Sequence, residues 1–64
     1  MEIVINGKNA NTNARTINEI IEKREIDKRG LVIEYNGEIL KQEKWSKRVQ
    51  EGDKLELLSF VGGG

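Results

Sequence analysis

The apolar positions of this chain fall in short runs with two different periods. Glu2 to Asn6 alternates polar and β-branched residues and leads into Asn6-Gly7, a pair that favours the positive φ angles of a type I′ hairpin turn. The pattern predicts a first strand here and a return strand near Lys8 to Asn13. Asn9, Asn11 and Asn13 are poor strand formers, which places the return at a sheet edge. Thr16-Ile17-Asn18-Glu19 has the spacing of a capping box, in which the Thr16 hydroxyl accepts from the Glu19 amide and the Glu19 carboxylate reaches back to Thr16. From Ile17 the period becomes helical: Ile17, Ile20 and Ile21 share one face, and Glu19, Glu22, Lys23 and Arg24 take the wet side. This short helix ends before Gly30.

Leu31 to Tyr35 is a second strand-like run, closed by Asn36-Gly37 and a tight turn into Glu38-Ile39-Leu40. Lys41 to Arg48 is polar apart from Trp45, which predicts a loop with a short helical turn that tucks the indole onto the core. Glu51-Gly52-Asp53 supplies a last turn, with both acids read as turn residues. The closing run, Leu55 to Val61, alternates again, and side chains two apart share a face. With Leu55 and Leu57 toward the helix, Leu58 and Phe60 point away from it. Val4 and Val32 extend that apolar patch when Ile3, Ile5, Leu31 and Ile33 face inward. The order strand, strand, helix, strand, short strand, strand is an α+β plan: one mixed sheet of four to five strands with a helix across one face.

Composition narrows the function. A chain of 64 residues buries only about 60% of its unfolded surface, and a ligand pocket of several hundred cubic ångströms would remove side chains that a small core needs. An autonomous enzyme is therefore not expected. The 11 basic and 11 acidic residues balance, whereas nucleic-acid modules carry a clustered positive excess. With no cysteine and no histidine, the chain lacks a thiol nucleophile, a disulfide framework and the commonest metal ligand. The start, Met1-Glu2-Ile3-Val4-Ile5-Asn6-Gly7, is too short and interrupted for a secretory signal, and no run approaches a membrane span. The expected location is the cytoplasm, with neither nucleic acid nor membrane as a partner.

The sharpest chemical feature is Gly62-Gly63-Gly64, directly behind the closing strand. Glycine ends an ordered element poorly, because it loses the most backbone entropy on ordering, but it suits a segment that threads a narrow channel. From Val61 to Gly64 such an arm reaches roughly 13 Å when extended, enough to place the Gly64 carboxylate in a partner's active site. The expected organisation is a body over 1–61 and a flexible glycine tail over 62–64.

With that order and that end, the chain resembles the ubiquitin-like β-grasp sulfur carriers, and within them the ThiS family of thiamine (thiazole) biosynthesis. The likeness spans the chain: Ile3-Val4-Ile5-Asn6, the capped helix from Thr16, Asn36 with Ile39-Leu40 shortly after, Trp45, Gly52-Asp53 and Gly63-Gly64. Two departures are Lys41-Gln42, where Pro-Arg often follows the apolar pair, and the third glycine, Gly62. The resemblance implies a protein cosubstrate with no bound cofactor and no catalytic residue of its own. An E1-like activating enzyme, using ATP and Mg, would adenylate the Gly64 carboxylate. A cysteine desulfurase-type donor would then supply sulfur, and the Gly64 thiocarboxylate would deliver it to thiazole synthase. Gly62 and Gly63 would enter the partner's active site, while Leu58, Phe60, Val61, Val4 and Val32 would form the docking face. The alternatives are a carrier for molybdopterin or another thiolated product, a protein modifier that ends in an isopeptide bond, and a non-covalent β-grasp binding module.

Overall fold

The computed structural model describes residues 1–60. Its elements are β1 (Glu2–Ile5), β2 (Lys8–Asn11), α1 (Ile17–Lys23), β3 (Leu31–Tyr35), β4 (Glu38–Leu40), a 3-10 turn (Gln42–Lys44) and β5 (Lys54–Ser59). One sheet takes all five strands in the order β2-β1-β5-β3-β4. The first and last strands of the chain lie side by side and parallel, with Val4 opposite Lys54 and Ile5 opposite Leu55. The other pairings are antiparallel.

Both Asn-Gly pairs form the expected turns. Asn6 and Gly7 have φ of 50° and 80°, and Asn36 and Gly37 have φ of 49° and 90°, the left-handed geometry whose twist matches that of a hairpin. The return strand β2 is the sheet edge, as its asparagines indicated, but it stops at Asn11 rather than Asn13. Its ladder ends where β1 begins: the last bond is Thr12 N–H to the Met1 carbonyl at 2.9 Å. The Ala14 amide then turns back to the Thr12 hydroxyl at 3.0 Å.

The helix starts at its cap, with the Thr16 hydroxyl accepting from the Glu19 amide at 3.2 Å. The reciprocal half of the box differs from expectation. The Glu19 carboxylate accepts from the Arg15 amide at 3.0 Å, one residue earlier than Thr16, where the chain makes an isolated bridge to Arg48. The helix ends in a Schellman motif without glycine. Glu25 takes φ of 56°, and the amides of Glu25 and Ile26 return to the carbonyls of Glu22 and Ile21, each at 3.1 Å.

Ile17, Ile20 and Ile21 are all buried, against Ile3, Ile5, Leu31, Ile33, Leu55 and Leu57 of the sheet. Each such side chain contributes about 1.5 to 3 kcal/mol by leaving water. Trp45, 2% exposed, follows the 3-10 turn and closes the end of this core, its indole N–H donating to the Leu40 carbonyl at 2.9 Å. Among the described residues no helix is long and apolar enough to cross a membrane.

Candidate functional site

The helix covers one face of the sheet, and the other face is open. Alternation along β5 gives Leu55 and Leu57 to the core and leaves Lys54, Glu56 and Leu58 outside. On β3 the outward residues are Val32 and Glu34, because Leu31 and Ile33 are buried. Register then sets the neighbours: Val32 lies directly opposite Leu58, and Glu34 lies between Glu56 on one side and Ile39 on the other. Leu58 is 39% exposed and Phe60 70%. Val4 and Val32 are half-buried on the same face, Val32 against Leu58 and Val4 one strand further over on β1. The sequence-based candidates Val4, Leu58 and Val32 thus lie on one face over β1, β5 and β3. Val61, Gly62, Gly63 and Gly64 lie outside the described residues.

Sequence reasoning missed Ile39, which is 70% exposed on this face. In the sequence it stands only as an apolar pair with Leu40. Pairing of Glu34 with Ile39 and of Ile33 with Leu40 puts the two side chains on opposite faces, a separation that the two-residue period of a strand already implies. The patch is also partly acidic. Glu34 and Glu56 face each other across two strands, a like-charge pair that opposes pairing by a few tenths of a kcal/mol, at roughly 0.2 to 1 kcal/mol for such contacts.

What holds β5 in place is less visible in the sequence. Past Ile5 the β1 strand turns away, yet its hydrogen bonding continues through a side chain. The Asn6 carboxamide accepts from the Leu57 amide at 2.7 Å and donates to the Leu57 carbonyl at 3.4 Å. Asn36 does the same at the strand's beginning, accepting from the Lys54 amide at 2.8 Å while its own amide donates to the Lys54 carbonyl at 2.8 Å. Each Asn-Gly turn therefore also clamps the last strand. At the far end the Phe60 amide donates to the Gly30 carbonyl at 2.8 Å, so the backbone is tied down up to the residue before Val61.

The start of β5 rests on Asp53. Beyond serving in the turn, this carboxylate is buried and accepts from the Tyr35 hydroxyl at 2.6 Å, the Gln50 amide at 2.8 Å and the Asn36 carboxamide at 3.3 Å. Burial pushes the Asp53 carboxyl up, but the hydrogen bonds from Tyr35, Gln50 and Asn36 and the charge of Lys47 together hold it below its ordinary value. Its hydrogen bond to Asp53, with burial and the carboxylate charge adding, pushes the Tyr35 hydroxyl up to about 12. The Lys47 ammonium sits 5.2 Å from the centre of the Tyr35 ring. Glu51 is separate, its carboxylate accepting from the Glu2 amide at 3.1 Å. Among the described residues there is no cluster of three or more acids that could hold a metal ion.

A mixed sheet with a parallel pair at its centre, one capped helix across it and an open apolar face beside the last strand defines a ubiquitin-like β-grasp domain. The model of the ThiS family matches residues 3–64, and the chain belongs to that family. A crystal structure of a thiamine biosynthesis protein from Geobacter metallireducens superposes with a TM-score of 0.81 at 30% identity, over the whole of both chains. A solution structure of a thiamine biosynthesis protein from the same organism gives 0.79 at 29%, over all of this chain and 88% of that one. A thiazole synthase from Paramagnetospirillum magneticum is 36% identical over 66 residues, which cover this whole chain but only 20% of that relative's length. An uncharacterized protein, ycf40, from Trieres chinensis is 32% identical over 83% of this chain and 74% of its own.

Proposed function

We propose that this chain is a sulfur carrier of thiamine biosynthesis and that the carboxylate of Gly64 carries the sulfur. The observation that bears most of the weight is the family match over residues 3–64, which runs through Gly63-Gly64, on a body whose last strand is clamped on both sides next to an open apolar face. A carboxylate is a poor electrophile. An ATP-dependent activating enzyme of the E1-like type, with Mg, makes it reactive: a carboxylate oxygen attacks the α-phosphorus, pyrophosphate leaves, and an acyl adenylate forms. A persulfide sulfur from a cysteine desulfurase-type donor displaces AMP, and a second thiol cleaves the resulting acyl disulfide to leave the thiocarboxylate. This chain's own part is presentation. Leu58, Phe60, Val61, Val4 and Val32 dock the body, while Gly62 and Gly63 pass through a channel without side chains to obstruct it. Stabilisation of the transition states comes from the partners that surround the reacting atoms.

Thiazole synthase is the proposed acceptor, supported by the relative of that name whose sequence contains a segment like this whole chain. The test is intact mass spectrometry after expression with the candidate activating enzyme and sulfur donor. Exchange of one oxygen for sulfur at Gly64 is expected, and a variant with residues added after Gly64 should fold normally and show no exchange. Full exchange in the extended variant, or an unchanged mass while the activating enzyme hydrolyses ATP, would overturn the reading.

A further inference from the structure

A second surface lies on the helix side of the sheet, away from the open face. A groove of about 290 Å³ runs between β2 and the helix, with Ile5, Ala10 and Ile20 at its floor and Lys23 and Arg24 at its helix rim. Lys23 and the C-cap residue Arg24 lie three and four residues after Ile20 and so continue its stripe at the end of α1. No acidic residue lines the groove. Among the described residues the one ion pair is Arg29 with Asp27, so neither rim cation is neutralised within the fold. Lys8 projects on the same face of β2 as Ala10 and adds a third cation at the strand's beginning.

The wall of the groove is an open edge. β2 is the terminal strand of the sheet. The amides of Val4 and Asn6 donate away from it, to the carbonyls of Asp53 and Leu55, each at 2.9 Å. Ile3 and Ile5 therefore turn theirs toward β2, and the alternation of an antiparallel ladder leaves the N–H and C=O of Asn9 and Asn11 directed outward. Strand addition draws affinity from unpaired main-chain groups and specificity from pockets for alternate side chains, and here both lie beside a cationic rim that suits an acidic segment.

We propose that this groove binds an extended segment of a partner protein as a sixth strand, pairing with Asn9 and Asn11. An aliphatic side chain of that segment lies over Ala10 and Ile20, and carboxylates after it meet Lys23 and Arg24. The surface is distinct from the open face, so a partner held here leaves the Leu58 and Phe60 side free. The partner's acidic character follows from the rim alone, since the chain as a whole is formally neutral.

The test is a titration of the ¹⁵N-labelled full chain, followed by NMR, with a capped hexapeptide of serine, valine, serine, valine and two glutamates. A control peptide carries two lysines in place of the glutamates. Shifts should centre on the amides of Asn9, Asn11, Ile20, Lys23 and Arg24, and the control should bind about tenfold or more weakly. Added salt should weaken the acidic peptide. Lys23→Glu together with Arg24→Glu should reverse the preference. Asn9→Pro removes an outward amide that the sheet does not use, which an edge strand tolerates, and should abolish binding while the rest of the spectrum stays in place. Equal response to both peptides, shifts centred on Leu58 and Phe60, undiminished binding by Asn9→Pro, or no shifts at millimolar peptide would each overturn the proposal. So would perturbation of the same amides by the chain's own concentration, which would mean that the edge pairs with a second copy.

Discussion

Replacing Asp53 with alanine should cost about 3 to 5 kcal/mol of folding stability. The carboxylate is 8% exposed and accepts from Tyr35, Gln50 and Asn36. A hydrogen bond to a charged acceptor contributes about 1.5 to 3 kcal/mol, and a donor left buried without one adds its own desolvation cost. The three bonds share one carboxylate and do not sum freely, and half-buried Tyr35 can turn its hydroxyl toward water, which brings the total to the bottom of the additive range or below it. For 64 residues the whole stability is about 3 to 10 kcal/mol, at about 0.05 to 0.15 per residue, so the variant should stand close to its unfolding midpoint. Asp53→Asn keeps one acceptor oxygen for Tyr35 and Gln50 and should lose about half as much. The assay is urea unfolding followed by the fluorescence of Trp45, the one tryptophan of the chain, which is buried. A loss below about 1 kcal/mol in the alanine variant would refute the assignment of Asp53 as the anchor of β5.

The same residue sets two slopes of stability against pH. Because the folded carboxyl lies below its ordinary value of 3.8, the unfolded chain binds more protons in the interval between the two. The contribution is complete above about pH 4 and is lost as pH falls through the folded value. Tyr35 behaves oppositely. Its hydroxyl is raised from 10.0 to about 12, so its contribution is complete below pH 10 and is lost as pH rises toward 12. Asp53→Ala should flatten both ends of the profile. Part of the acid slope should persist, because the side-chain and backbone hydrogen bonds of Arg29 hold Asp27 at about 2.

Ile20→Ala should cost about 2 to 4 kcal/mol in the same urea assay, since the side chain is 2% exposed; a value near zero would mean that the helix face is wrong. Phe60→Asp should change stability by less than about 0.5 kcal/mol, and Leu58→Asp by about 1 kcal/mol through loss of its Val32 contact. Both should weaken binding to the activating enzyme, measured by calorimetry, and retained affinity would remove the open face from the docking surface. Glu25→Gly should raise the unfolding free energy by about 0.5 to 1 kcal/mol, and the urea midpoint with it, because a side chain at φ of 56° is strained and glycine is not. An unchanged or lowered midpoint would show that the Glu25 side chain stabilises the helix end.

Local features were legible because their causes are local. The two Asn-Gly turns, the Thr16 cap, the isoleucine stripe and the inward Trp45 each follow from residues within a few positions of one another. The parallel contact of β1 with β5 joins the two ends of the chain, and no short-range pattern encodes it. The same gap hid the second role of Asn6 and Asn36: the preference for positive φ accounts for an asparagine before glycine, while the carboxamide's reach to Leu57 and Lys54 exists only once β5 lies between the turns. Asp53 looked like an ordinary turn acid for a related reason, as its donors Tyr35 and Asn36 are 18 and 17 residues away. In the candidate site, alternation alone gave Leu58, Phe60, Val4 and Val32 a common face, but Ile39 joined them only through its register with Glu34.

The central place of β5 also has a mechanical meaning. A strand at the rim of a sheet can be peeled off one bond at a time, whereas this one is gripped from both flanks, by a parallel neighbour and an antiparallel one. Tension applied at the chain's end pulls along the strand axis and loads those bonds together, in shear. A pull on whatever follows β5 is therefore spread over two neighbouring strands before the domain can unravel.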